Sequence, residues 1–299
     1  MVKHAFLIIA HDQFELLKIL IKMLDDERND IFIHIDSKVK DFDFNEFLKL
    51  PQFSRIYFTD RISVTWGDFS QVKAELILLS KAVENENDEN SYSYFHLLSG
   101  ADLPIKTNDE IHKFFDENAG KEFIHFSSNE PSSSAQSRIR YYHIFRKKRN
   151  LFYKILAQIA LKVQKALGVN RLKKNHLIVQ KGTNWFSITH DFANYVVSKR
   201  NEIEKIFRYS YCCDEVFLQT MLVNSDFKNS LYMPDCNNDQ LACARYIDWD
   251  RGNPYIFRTV DFEDLISSPA MFARKFSMET NKEIVYKIRD YIGDRANEQ

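Results

Sequence analysis

An α/β fold with a mostly parallel sheet and helices on both of its faces is what this sequence predicts, and three observations predict it. Residues 5–10, AFLIIA, form a continuous apolar run, the signature of a strand buried on both faces. Such runs alternate with helical patterns four times in about a hundred residues, as parallel strands joined by crossover helices do. Three of the runs end in polar residues, His11, Asp36 and Asp102. Right-handed crossovers place those ends along one edge, where ligands sit in open α/β sheets.

The elements follow in order. After the first run, Phe14, Leu17, Leu20, Ile21 and Leu24 recur at helical spacing. Residues 30–36, DIFIHID, read as the second strand and 54–58 as a short third. The loop 64–70, VTWGDFS, leads into a helix lined by Val72, Leu76, Leu79 and Val83, with Ser70 placed to cap it. Residues 94–98, YFHLL, form a buried strand that stops at Ser99-Gly100-Ala101-Asp102 before Pro104. Asp102 there is either a solvated turn residue or a ligand-facing carboxylate.

The middle of the chain changes character. Residues 127–137 are polar and loop-like. From 138 to 174 there are twelve Lys or Arg and no Asp or Glu, with Leu151, Ile155, Ile159, Leu161, Val163 and Leu167 among Lys154, Lys162 and Lys165. This reads as a basic amphipathic helix. It can pack on the domain with a solvated basic face, lie on an anionic membrane surface, or bind nucleic acid. The last is disfavoured, because the stretch has no repeated aromatic platform and the rest of the chain is acidic.

In the last third, 181–189 reads as a Gly turn entering a strand and 192–207 as a helix. Asp214 and Glu215 stand at the start of the next helix, where a carboxylate suits the helix dipole and can equally serve as a base facing a cleft. Arg274 and Lys275 lie between Phe272, Ala273 and Phe276, which suggests partial burial, and buried cations need anions.

Composition excludes several classes. The 299 residues suit one large domain or two modest ones, and with Gly 7 and Pro 6 no long linker is evident. A net charge of −1 argues against nucleic-acid binding by the chain as a whole. The cysteines at 212, 213, 236 and 243 include no C-x-x-C and read as reduced thiols. No stretch reaches the ~18 apolar residues of a membrane span. The amino terminus is better explained as a strand than as a signal peptide, so a cytoplasmic location is expected. Neither G-x-G-x-x-G nor G-x-x-x-x-G-K-[ST] occurs. What remains suits transfer of a group from a phosphate-activated donor, with cations neutralising the leaving diphosphate. Asp248 and Asp250 have a D-x-D shape that could hold a metal instead.

At these residues the chain resembles the core-2/I-branching glycosyltransferases (glycosyltransferase family 14), which also include the peptide O-xylosyltransferases. The carriers are Ala10-His11 with Phe14-Glu15, Ile33-His34-Ile35-Asp36, Val64-Thr65-Trp66-Gly67 and Leu97 to Ile105. Asn184-Trp185-Phe186, Cys213-Asp214-Glu215-Val216-Phe217 and Phe272-Ala273-Arg274-Lys275-Phe276 complete the set, in order and nearly end to end.

The resemblance implies a single GT-A-type catalytic domain with a Rossmann-like sheet. Residues 1–126 would be its nucleotide-binding half, 127–180 a basic, partly helical insertion and 181–299 its acceptor and catalytic half. It implies inverting, metal-independent transfer from a UDP-sugar, with GlcNAc or xylose foremost, and no cofactor. On it Glu215 matches the catalytic base, and Arg274 and Lys275 match the pyrophosphate-binding cations. His11 and Asp36 match the strand ends that hold the nucleoside, and Trp66, Asp102, Trp185 and Asp214 match positions around the sugars and acceptor. Either Arg251 or Arg258 can be the additional arginine that contacts phosphate in some relatives.

The chain departs from the animal members in lacking their anchor and disulfide cysteines and in carrying the acid-free segment. A bacterial-type enzyme on the cytoplasmic face of the membrane is therefore expected, acting in surface polysaccharide assembly on a glycan or lipid-linked acceptor. Segment 138–174 would be its peripheral membrane contact, and nucleic acid would not be a partner. A non-catalytic sugar-nucleotide or glycan-binding protein on the same fold is the alternative, and the presence of Glu215 with Arg274 and Lys275 weighs against it.

Overall fold

Strand β1 (Val2–Ala10) lies between β2 (Asn29–Ile35) and β4 (Ser91–Ser99) and runs parallel to both. The computed structural model describes every residue except 1, 88–90, 132, 146–149, 175, 176, 236 and 299, and the side chain of Lys174 is also undescribed. Side chains alternate across a strand, and both sets in β1 are apolar. Ala5 and Leu7 join the core formed with Val72, Leu76 and Leu79 of the helix Ser70–Glu84. Phe6 and Ile8 join the opposite core, with Leu16 and Leu20 of Phe14–Met23 and Ile284 and Ile288 of Met278–Asn297. Burial on both faces is why this strand reads as an unbroken apolar run.

The main sheet, among the described residues, has the order β3-β2-β1-β4-β7-β6, with β3 at Arg55–Phe58, β6 at Phe123–Ile124 and β7 at Phe186–Thr189. The first four strands are parallel, whereas β7 is antiparallel to β4 and to β6. A smaller sheet holds β5 (Leu103–Pro104), β9 (Phe272–Arg274) and β8 (Arg245–Ile247) in that order. The expected α/β class with a mostly parallel sheet is thus observed.

Arg245 ties the two sheets together. It begins β8, yet its buried side chain reaches into the main sheet. Nη1 donates to Ser187 Oγ at 2.6 Å and to the Cys243 carbonyl, and Nη2 donates to the Phe186 and Leu97 carbonyls at 2.7 and 3.0 Å. None of these acceptors is a carboxylate, and burial pulls the guanidinium pKa down to about 10. Ser187 Oγ also meets His96 Nδ1 at 2.7 Å, and His96 Nε2 meets His4 Nδ1 at 3.1 Å. Desolvation holds both imidazoles well below the usual histidine range, which favours their neutral forms.

Four local expectations are corrected. Ser70 does not cap the helix it begins; its Oγ accepts from the Thr65 amide at 2.9 Å, while Asp68 takes the Ser70 amide at 3.0 Å. Residues 192–207 are not one helix but belong to two, His190–Ser198 and Arg200–Phe207, which meet at Lys199. Asp214 and Glu215 lie on a 3-10 turn, Cys213–Glu215, and the helix Phe217–Val223 starts only after Val216 at φ −137°. The basic segment divides into the helices Ser133–Arg140 and Leu151–Ala166 and the turn Arg171–Lys174, while residues 146–149 lie outside the described residues. Cys212, Cys213 and Cys243 are free and buried, as expected of reduced thiols, and Cys236 lies outside the described residues.

Replacing Arg245 by lysine tests the tie between the sheets. A lysine ammonium lacks the planar fork that reaches four acceptors, and each buried acceptor left alone costs ~1–3 kcal/mol. We expect R245K to lower the urea unfolding free energy by about 3 kcal/mol or more. A loss below ~1 kcal/mol would mean that the four bonds are not structurally important.

Candidate active site

Because β1, β2 and β4 are parallel, their carboxyl ends share one edge of the sheet. The Gly100 amide donates to Ile9 O and the Asp36 amide to Ala10 O, each at 3.0 Å, so the turns after the three strands are bonded side by side. His11 stands at this edge with its side chain largely exposed, 3.5 Å from Asp12. Asp36 is buried, and its carboxylate accepts from the Lys38 and Val64 amides at 2.9 and 3.3 Å and pairs with Lys38 Nζ at 3.2 Å. Arg61 braces the turn by donating to Ile35 O and Asp36 O at 3.1 and 2.8 Å.

Asp102 and Arg274 meet because of strand register. Leu103 lies opposite Ala273 in the antiparallel β5–β9 pair, which brings the preceding residue, Asp102, beside the following one, Arg274. Asp102 is 1 % exposed; it accepts from the Ser99 amide and hydroxyl, both at 2.8 Å, and lies 3.3 Å from Arg274 Nε. The Arg274 guanidinium sits 3.8 Å over the ring of Trp185, itself buried, with only 12 % of its own side chain exposed. Among the described residues Arg274 donates no hydrogen bond, and its Nε has no aligned acceptor. Burial lowers the pKa of this group too.

Positive charge is therefore in excess here. Arg274 lies close enough to buried Arg245 to lower that group's affinity for a proton, and Asp102 is the carboxylate near both. Lys275 follows directly on the strand; its amide donates to Tyr255 O and its carbonyl accepts from Phe257 N. That pairing brings Arg258, the residue after Phe257, alongside; Arg258 forms no ion pair among the described residues. Arg251 is occupied, at 2.5 Å from Asp248 and 2.6 Å from Asp261, with its guanidinium over Tyr255. Asp248 is held by the amides of Asp250 and Arg251 and by the Arg251 side chain, so the D-x-D stretch is folded onto an arginine. Among the described residues no three His, Cys, Asp or Glu converge as metal ligands.

Glu215 is connected to this corner through a glycine. Its carbonyl accepts from the Gly182 amide at 2.9 Å. A Cβ on Gly182 would collide with the His125 carbonyl, so the turn admits no side chain. Gly182 and Trp185 are three residues apart, within about 11 Å along the chain, and Trp185 carries Arg274. The Glu215 side chain is 37 % exposed; its Oε2 accepts from Arg138 Nη1 at 2.7 Å and lies 3.7 Å from Lys181 Nζ. Oε1 has no partner among the described residues. The Trp66 loop lies against the same turn, since the Cys212 amide donates to Gly67 O at 3.0 Å and Trp66 meets Tyr211 edge to face.

Asp214 points the other way. It is buried; one oxygen accepts from Gln71 Nε2 at 3.0 Å and the other has no partner. Burial, then the charge of Glu215, push its carboxyl up to about 6. Glu75, on the helix Ser70–Glu84, is fully buried with neither oxygen bonded, and desolvation followed by Asp214 raises it far above the carboxylate range. Glu75, Gln71, Arg138 and Lys181 were not singled out by sequence reasoning. The signal for Arg138 was present: an acid-free basic stretch must find its carboxylates elsewhere in the chain. Clefts of about 480 and 520 Å³ flank the helix Ser70–Glu84, and neither Glu215 nor Arg274 lines them.

Comparison with known proteins bears on this arrangement. The sequence model of the Core-2/I-branching enzyme family matches residues 4–267. Rat xylosyltransferase 2 is 26% identical over 305 residues, 95% of this chain and 33% of that protein, and the human protein gives the same figures. Rat xylosyltransferase 1 is 25% identical over 314 residues, 97% of this chain and 35% of its own length. The chain thus spans about a third of the length of these curated relatives. The crystal structure of apo mouse xyloside xylosyltransferase 1 overlaps 91% of this chain and 97% of its own, at a TM-score of 0.38 and 11% identity.

The raised Asp214 pKa predicts a pH signature. Between 3.8, the ordinary value, and about 6 the folded carboxyl keeps a proton that the unfolded one has lost. Each pH unit in that window costs the fold about 1.4 kcal/mol. D214N has no such proton, so its stability relative to the parent should rise by up to about 3 kcal/mol from pH 4 to pH 6 and then level off. Urea unfolding of both proteins at pH 4.5 and 7.5 measures this, and an unchanged gap would contradict it.

Proposed function

The chain belongs to the Core-2/I-branching enzyme family of glycosyltransferases, and from that premise we propose that it transfers a sugar, with inversion and without a divalent ion, from a UDP-sugar to a hydroxyl. The observation that carries this reading is Arg274, a buried guanidinium with no hydrogen bond among the described residues, an ion pair at 3.3 Å and an aromatic ring beneath it. Such a group is poised for an anion supplied from outside the chain.

In the proposed reaction Arg274 and Lys275, with Arg258 beside them, take the two phosphates of UDP. Trp185 and Asp102 act through Arg274, by fixing its plane and position. His11 and Asp36, at the ends of β1 and β2, lie on the edge that would receive the nucleoside. The acceptor hydroxyl loses its proton to Glu215 Oε1 as its oxygen attacks the anomeric carbon. The bond from that carbon to the β-phosphate oxygen breaks, and the electron pair leaves on UDP, where the cations stabilise it. One base opposite the leaving group is sufficient, and the configuration inverts. Arg138 and Lys181 hold Oε2, so Oε1 is the oxygen that takes the proton. Exposed Trp66 borders this turn and is suited to stack on a sugar face.

Two donors follow from the comparisons. The relatives are named xylosyltransferases and the family is named for core-2 branching, so UDP-xylose and UDP-N-acetylglucosamine are the donors to try first. A glycan or a lipid-linked sugar, as in bacterial surface polysaccharide assembly, is the proposed acceptor.

Glu215→Gln should lower kcat by about 10²–10⁴-fold with little change in UDP affinity, since it removes the base and leaves the cations. UDP release with acceptor present, scored for both donors, measures this. Equal turnover by parent and variant would remove Glu215 from the base role, and no turnover by either with any UDP-sugar would favour a binding protein.

A further inference from the structure

The helix Leu151–Ala166 leaves its apolar side uncovered. Leu151, Phe152, Ile155, Ile159 and Val163, with Leu167 just beyond, are 50–74 % exposed, and Ala157 is the residue the helix buries. At 3.6 residues per turn these six occupy one arc of about 160°, wider than the stripe a packed surface helix turns to its core. Lys154 and Lys165 border the arc on one side and Lys162 falls just inside that edge, and a shallow groove runs between Leu151, Ile155, Ile159, Lys154 and Lys162.

The helix is nonetheless anchored to the domain. Gln164 donates to Tyr142 O at 2.9 Å and accepts from its amide at 2.7 Å. Arg171, just beyond, donates to Ile139 O and Ile206 O at 3.1 and 2.7 Å and covers the ring of Tyr142. Ile139 follows Arg138, which holds Glu215, so the uncovered face has a set position relative to the proposed base.

We infer that this face docks on an anionic lipid bilayer, the helix lying in the interface with its apolar arc in the acyl boundary. The charge balance selects this occupant. Residues 138–174 carry twelve cations and no carboxylate in a chain whose net charge is −1, so the basic charge is concentrated on the segment that exposes the apolar arc. An apolar face alone gives marginal membrane affinity, and adding a basic patch makes a stable anchor. A second copy of the chain would bring an equally basic segment against this one. Nucleic acid would satisfy the lysines and leave the aliphatic side chains in water. The inference does not depend on the proposed transfer reaction.

Flotation of the full chain tests it. The parent should float with vesicles of phosphatidylglycerol and phosphatidylcholine at low salt, and should remain at the bottom with phosphatidylcholine alone. Ile155→Glu with Ile159→Glu, and separately Lys154→Glu with Lys162→Glu, should each reduce flotation at least tenfold while leaving the urea midpoint unchanged. The inference is overturned if the parent ignores anionic vesicles, or if both double variants float as the parent does. It is also overturned if light scattering shows a parent dimer that Ile155→Glu with Ile159→Glu converts to monomer without any vesicle binding.

Discussion

Two buried guanidinium groups share one buried carboxylate, and the rest of the candidate site is arranged around that imbalance. Arg245 bonds both of its terminal nitrogens to carbonyls and a hydroxyl and so closes the smaller sheet onto the larger. Asp102 accepts from Ser99 and faces Arg274 at 3.3 Å. Arg274 is left with an aromatic ring below it and unused donors. Burying an ion without full compensation is costly. The fold sustains it by setting Arg274 on the central strand of the smaller sheet, between β5 and β8, with its guanidinium over the ring of Trp185.

Glu215, the proposed base, is linked to the cations by backbone geometry more than by side-chain contact. Gly182, packed against the His125 carbonyl where no side chain fits, donates its amide to the Glu215 carbonyl three residues before Trp185. Behind that turn Asp214 and Glu75 form a second, buried acidic layer in which low dielectric favours protons. Two adjacent carboxylates are thus separated by environment. Asp214 is turned into the protein, and Glu215 is held at the surface by Arg138 and Lys181.

What was legible in the sequence follows from how local each signal is. The main-sheet strands that read clearly, such as 5–10 and 94–98, are buried on both faces and so carry an uninterrupted apolar pattern. The strand ends His11, Asp36 and Asp102 were legible as polar stops, and the structure brings their turns to one edge. Ser70 misled because Asp68, two residues earlier, takes its amide. The pairings of Arg138 with Glu215, Lys181 with Glu215 and Asp102 with Arg274 were not legible, since each joins residues far apart in the chain. Neither was Glu75, whose position on a helix hides a carboxylate in what reads as a polar gap between apolar residues.

Affinity for UDP tests the central claim, that fixed cations rather than a divalent ion hold the diphosphate. Calorimetric titration of the parent and of Arg274→Met, each with EDTA and again with Mg²⁺, separates the two. The account predicts that the parent binds UDP equally under both conditions and that Arg274→Met binds at least tenfold more weakly in both. Loss of parent binding in EDTA, or parent-like affinity in Arg274→Met, would contradict it.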